Sequence, residues 1–239
     1  DVRAMIDHEL NECESGIASD EEKLSLNATW DSLPDFGSDD NALAVIDTSG
    51  SMYFDGKPMP AAVALSLGLY FAEHNKGYFK NNFIEFSERP QLIELKGETF
   101  ADKLRYACTF NEVANTDIEA VFDLVLNAAV NNIVPQSELP SKLIIISDME
   151  FDMGSDQDMS LHDEVKSFYK KYGYVLPNIV YWNVNSHQNQ FPVTKDEYGT
   201  VLVSGASPNL FKMVISQETN PIEYMKSILD GERYEKISA

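Results

Sequence analysis

The feature that most restricts how this chain can fold is a rhythm that starts at residue 42. Ala42–Ile46 is a short apolar run, partly β-branched, closed by Asp47-Thr48-Ser49-Gly50. A run of this length bounded by turn residues reads as a strand buried on both faces. Leu143–Ile146 repeats the pattern, with four aliphatic residues ending at Ser147-Asp148. Pro58 to Asn75 predicts a helix, with proline at its start and Gly77 just past its end. Phe83–Phe86 and Gln91–Leu95 read as short strands joined by Ser87-Glu88-Arg89-Pro90, so the second runs antiparallel to the first. Phe100–Ala107 is a short helix. Asp117 to Val130 is a strong one, with Ile118, Val121, Phe122, Val125, Leu126 and Ala129 on a single stripe. Ser160–Tyr172 is helical and stops at Gly173. Asn178–Val184 and Thr200–Val203 are strands, and Leu210–Ile215 and Pro221–Leu229 are closing helices. Strands alternating with helices predict an α/β fold: a doubly wound, mostly parallel six-stranded sheet with one short antiparallel edge strand. In such sheets ligands bind beyond the carboxyl ends of the strands.

Charge divides the chain at the same point. Residues 1–40 hold twelve acidic and two basic residues, a net −10 of the total −21, and the other 199 residues carry −11. Residues 1–40 are therefore read as an acidic leader or connector, partly ordered, and residues 41–239 as the α/β domain. Within the leader, Ala4-Met5-Ile6 with Leu10 suits a short amphipathic helix, and Trp30, Leu33 and Phe36 suit an extended segment pinned onto the body. The acidity argues against a generally basic nucleic-acid surface and against a polybasic membrane binder. With 44% hydrophobic residues the chain can nevertheless build a sizeable core. Two cysteines make no disulfide scaffold, and no apolar run approaches the ~20 residues that span a bilayer. The expectation is a cytoplasmic protein that does not insert in membranes. The first residue is Asp1, not methionine, so a processed protein or part of a longer chain is expected.

The residues just after the strands carry the chemistry. Asp47, Ser49 and Ser51 alternate after the first strand, so a loop curled about one point can aim all three there, with Gly50 allowing the tight turn. Asp148 follows the fourth strand. Asn115-Thr116-Asp117 opens the strong helix. Thr116 also suits the N-cap of a helix beginning at Asp117, with Glu119 in support. The donors are carboxylates and hydroxyls, with no His or Cys among them. Such a set suits Mg²⁺, Mn²⁺ or Ca²⁺ and does not suit Zn²⁺ or Cu²⁺. A serine nucleophile is disfavoured, because the G-x-S-x-G elbow is missing and no histidine sits at a strand end. A phosphate-binding G-x-x-x-x-G-K-[ST] loop does not occur.

Asp47-x-Ser49-x-Ser51, a threonine at the mouth of a later helix, and an aspartate after an aliphatic strand together resemble the metal-ion-dependent adhesion site of von Willebrand factor A domains. The resemblance covers about residues 41–230. It implies metal contacts by Ser49, Ser51 and Thr116, with Asp47 and Asp148 close by. It also implies an open coordination position for an Asp or Glu of a protein partner. Met52, Met149 and Glu150 would form the rim around that position. One departure stands out: Met149 and Glu150 occupy a stretch where the family often has glycine after the aspartate. Tyr181-Trp182-Asn183, Thr200 to Gly205 and Asn209-Leu210-Phe211-Lys212 resemble the C-terminal part of the DUF2828 family, an arrangement similar to the Ro autoantigen (TROVE) family. That resemblance implies a helical region preceding this chain and a place in an RNA-handling assembly, with no direct nucleic-acid binding by this domain. The resemblance as a whole implies a binding module and no enzyme. The alternative is a Mg²⁺-dependent phosphatase or hydrolase using Asp47, although the dehalogenase-type phosphatases want a second Asp where Ser49 stands.

Overall fold

The computed structural model describes residues 20–33, 41–53, 59–110, 117–149, 161–185 and 200–205, with 210, 214, 226 and 229 singly. Six strands form one sheet: β1 (Ala42–Asp47), β2 (Asn82–Phe86), β3 (Gln91–Glu94), β4 (Lys142–Ser147), β5 (Asn178–Asn183) and β6 (Thr200–Ser204). Their order across the sheet is β3-β2-β1-β4-β5-β6. Only the β2–β3 pair is antiparallel; β1 pairs in parallel with β2 and β4, and β5 with β4 and β6. This is the expected doubly wound, mostly parallel Rossmann-like sheet with one antiparallel edge strand.

The period of two along each strand divides the core into two layers. Leu43 and Val45 of β1, Leu143 and Ile145 of β4, and Ile179 and Tyr181 of β5 face one layer. Ala44 and Ile46, Ile144 and Ile146, and Val180 and Trp182 face the other. Helices α2 (Pro60–His74) and α3 (Phe100–Cys108) contribute to the second layer through Ala64, Leu69, Phe71, Phe100 and Ala107. Helices α4 (Ile118–Asn131) and α5 (Leu161–Lys171) cover the first through Val121, Phe122, Val125, Val165 and Tyr169. Because β1 and β4 lie at the centre, every residue of both is buried, which is why they read as unbroken apolar runs. Gly68 lets α2 lie close on β1: a Cβ there would stand 2.2 Å from Ile46 Cδ1.

Local chemistry sets the helix starts. Pro60 occupies the first turn of α2. Thr99 and Asp102 form a reciprocal capping box on α3. On α4 the cap is Asp117, whose Oδ1 accepts from Ala120 N at 3.1 Å. The helix therefore begins one residue later than expected, and Asp117 takes the capping role assigned to Thr116. Of the two closing helices, Leu210, Val214, Lys226 and Leu229 are described, and all four are helical.

Trp30 lies in a helix and not in the extended segment expected for Trp30, Leu33 and Phe36, the last of which lies outside the described residues. Asp20–Asp31 forms a helix, α1. Trp30 is its anchor: the indole stacks on Phe100 with centroids 3.8 Å apart, and Nε1 donates to Glu73 Oε2 at 2.9 Å. Glu73 also accepts from Lys103 Nζ at 2.6 Å, so one carboxylate ties α1 and α3 to α2. Asn27 Oδ1 accepts from Ala101 N on the same face. The aromatic side chain does what its composition suggested, but from a helix. The expected helix around Ala4–Leu10 lies outside the described residues. No helix among the described residues is long and apolar enough to cross a membrane.

Candidate metal centre at the carboxyl edge of the sheet

Parallel pairing of β1 with β4 aligns Ile46 with Ile146, so Asp47 and Ser147 emerge side by side. Ser147 Oγ donates to Asp47 Oδ2, joining the two strand ends. Asp47 Oδ1 accepts from Ser49 N at 2.8 Å, an Asx-type turn that curls the loop back on itself. The loop then enters a 3-10 turn over Gly50–Tyr53. Ser49 Oγ and Ser51 Oγ thereby come within 3.1 Å of each other. Asp47 is 1% exposed and Asp148 is fully buried, while both serines are half-buried.

Burial pushes the Asp47 carboxyl up from 3.8 to about 6, against the pull of its bonds to Ser147 and Ser49, and the negative charge of Asp148 pushes the same way. Two buried carboxylates thus stand close enough to repel each other. Asp148 Oδ2 is a buried oxygen that accepts no hydrogen bond, although the residue is engaged elsewhere.

Met149 shows how the missing glycine is accommodated. Its φ is +68°, in the left-handed region that glycine enters freely and that costs other residues energy. Its backbone N–H donates to Ser147 Oγ at 2.9 Å, and its side chain is 3% exposed in the core beneath α4. The methionine thus holds a backbone conformation that suits glycine better. Met149→Gly is expected to destabilise the protein in spite of relieving this strain. Relief is worth about 1–2 kcal/mol, whereas emptying a buried methionine site costs about 2–5 kcal/mol. A urea midpoint above that of the wild type would show that strain outweighs packing here.

The same burial corrects the expected rim. Met52 is fully buried in the layer beneath α2 and Met149 in the opposite one, so neither presents a side chain to a partner. Thr116 and Glu150 lie outside the described residues. Two groups escaped the sequence reading. Ser147, an ordinary strand end by sequence, is the bridge to Asp47. Glu85 is buried in β2 and accepts from Thr48 Oγ1 at 2.7 Å and from Ser87 Oγ at 3.1 Å. The visible signal was a single acid inside the apolar run Phe83-Ile84-Glu85-Phe86.

The family described as "Domain of unknown function (DUF7788)" matches residues 41–236. The chain belongs to the DUF7788 family. An uncharacterised protein of Acanthamoeba polyphaga mimivirus is 31% identical over 220 residues, covering 89% of this chain and 38% of its own length. The chain therefore spans well under half of that relative. Among solved structures, the Ro (RSR) protein of Deinococcus radiodurans matches at 19% identity and a TM-score of 0.49, over 75% of this chain and 34% of that one. Proximal thread matrix protein 1 of the mussel byssus, with a zinc-occupied MIDAS motif, matches at 11% identity and a TM-score of 0.46, over 73% of this chain and 46% of that one. The SpRpn10 VWA domain matches at 15% identity and a TM-score of 0.36, over 77% of this chain and 96% of that one. The family shown is DUF7788; the likeness to DUF2828 remains one of sequence motifs.

The donor set of the DUF7788 domain is the test of whether a metal suits these residues. Carboxylates held away from water beside paired hydroxyls are hard oxygen ligands, which fit a small divalent cation and offer nothing to a soft one. No group of three or more His, Cys, Asp or Glu converges among the described residues, so any such site depends on the serine hydroxyls.

Proposed function

We propose that this domain is a divalent-metal-dependent protein-binding module. Ser49 and Ser51 hold Mg²⁺, or Mn²⁺ or Ca²⁺ in its place, through their hydroxyls, with the buried Asp47 and Asp148 close by and acting through water. Thr116, directly before the Asp117 cap, is assigned to the same set from its place in the sequence. The partner presents an Asp or Glu carboxylate that completes the coordination shell. One observation carries the reading: two buried, mutually repelling carboxylates stand beside a pair of hydroxyls at the carboxyl edge of the sheet. A bound cation offsets that repulsion and supplies positive charge on an acidic body, which makes docking of an acidic side chain favourable.

The same geometry supports a non-enzymatic role over phosphoryl transfer. An aspartate nucleophile needs an exposed oxygen, whereas both Asp47 oxygens are buried and accept hydrogen bonds from Ser49 N and Ser147 Oγ. The net −11 of residues 41–239 supports a domain that does not bind nucleic acid directly. A cytoplasmic site of action and membership of a longer chain belong to the same proposal. Its test is capture on immobilised peptides that each carry one Asp or Glu. Retention is expected in Mg²⁺ or Mn²⁺, with release by EDTA and loss in Ser49→Ala. Equal retention in EDTA overturns the reading.

A further inference from the structure

We infer that Glu85 is a positioning residue for the metal loop, acting through Thr48 and Ser87, an inference that rests on the metal-binding reading above. Glu85 lies in β2 directly across from Ile46 and is 1% exposed. A carboxyl taken out of water is costly unless it is well hydrogen-bonded, and an apolar residue of similar volume is often as stable or more so. Stability alone therefore gives no reason for an acid at this position. Its bonds do. Oε1 accepts from the hydroxyl of Thr48, the residue between Asp47 and Ser49. Oε2 accepts from the hydroxyl of Ser87, whose own Oγ accepts from Arg89 N at 3.3 Å. The Ser87 carbonyl in turn accepts from Asp117 N at 3.4 Å. One buried carboxyl thus links the loop after β1 to the end of β2, and through it to the start of α4, where Thr116 precedes the cap.

Both Glu85 oxygens are engaged by hydroxyls, Oε1 by Thr48 and Oε2 by Ser87, so its role runs through those two residues. It fixes the side chain of Thr48 and so the backbone on which Asp47 and Ser49 are displayed. Partners that orient metal ligands in this way typically matter for affinity by about 10–100-fold.

Three variants test the role: Thr48→Val, which keeps the shape and removes the donor, Ser87→Ala, and Thr48→Ser, which restores the hydroxyl. Calorimetric titration with Mg²⁺ is run beside the metal-free melting temperature of each. Thr48→Val is expected to weaken Mg²⁺ binding by about 10–100-fold and Ser87→Ala in the same direction, while Thr48→Ser recovers most of the affinity. A merely structural network would lower the metal-free melting temperature and leave the affinity of the folded protein at the wild-type value. If the wild type binds Mg²⁺ but Thr48→Val and Ser87→Ala bind it equally well, the positioning role is overturned and the metal site stands. If the wild type binds neither Mg²⁺ nor Mn²⁺, both readings fall.

Discussion

Asp47→Asn is expected to abolish the response to Mg²⁺ while leaving the metal-free protein at least as stable as the wild type. With Mg²⁺ about a hundredfold above its dissociation constant, a bound site stabilises the wild type by about 2.7 kcal/mol. For a chain of this length that corresponds to a melting temperature roughly 5–10 °C higher than in EDTA. The metal-free comparison runs the other way because of the raised Asp47 carboxyl, at about 6 against 3.8. Below pH 4 the group is protonated in the folded and unfolded chains alike. Between pH 4 and 6 the unfolded chain releases its proton first, so stability falls as pH rises through that window. Above it the folded protein carries a penalty on the order of 3 kcal/mol, which a cation offsets and a neutral amide removes. Asparagine also suits the local geometry. Its Oδ1 can still accept from Ser49 N, and its amide can donate to Ser147 Oγ, which rotates to accept. A Mg²⁺ response equal to that of the wild type sinks the metal assignment. A much lower melting temperature in EDTA sinks the electrostatic account of Asp47.

The fold was legible because the sheet is buried on both faces. Central strands with no solvent side appear as uninterrupted aliphatic runs, and Ala42–Ile46 and Leu143–Ile146 lie within one residue of the observed β1 and β4. The turn after β1 was legible for a related reason: Asp47, Ser49 and Ser51 are close in sequence, and their turn is closed by their own side chains. What escaped depends on contacts distant in sequence. The Ser147–Asp47 bond spans 100 residues and the Thr48–Glu85 bond 37, and neither serine nor threonine announces such a partner. Trp30 was legible as an anchor but not as a helical one. The α1 sequence has little amphipathic pattern, and its position comes from the Phe100 face and Glu73. Met52 and Met149 were misplaced at the rim because position after a strand end says where a residue starts, not which way its side chain turns.

Trp182→Ala is expected to cost the most stability of any single change considered. Trp182 is fully buried in the layer beneath α2, on β5 between Ile146 of β4 and Val203 of β6. Removing so large a side chain costs about 3–5 kcal/mol, a fall in melting temperature of about 6–20 °C for a chain of this length. Its Nε1 also donates to Gly205 O at 2.7 Å, and Trp182→Phe separates the two contributions. Phenylalanine keeps most of the apolar volume and loses the bond, whose net worth is about 0.5–1.5 kcal/mol, since the half-buried Gly205 carbonyl can turn to water. The expected order is wild type, then Trp182→Phe, then Trp182→Ala by a wide margin. Equal losses in the two variants would place the energy in the hydrogen bond instead of the packing. The bonds that shape the loop after β1, from Ser147 Oγ and Ser49 N to Asp47, involve no atom of β5. The folded fraction of Trp182→Ala is therefore expected to keep its rise in melting temperature with Mg²⁺, because Trp182 packs on β5 whereas the proposed cation site is built at the ends of β1 and β4.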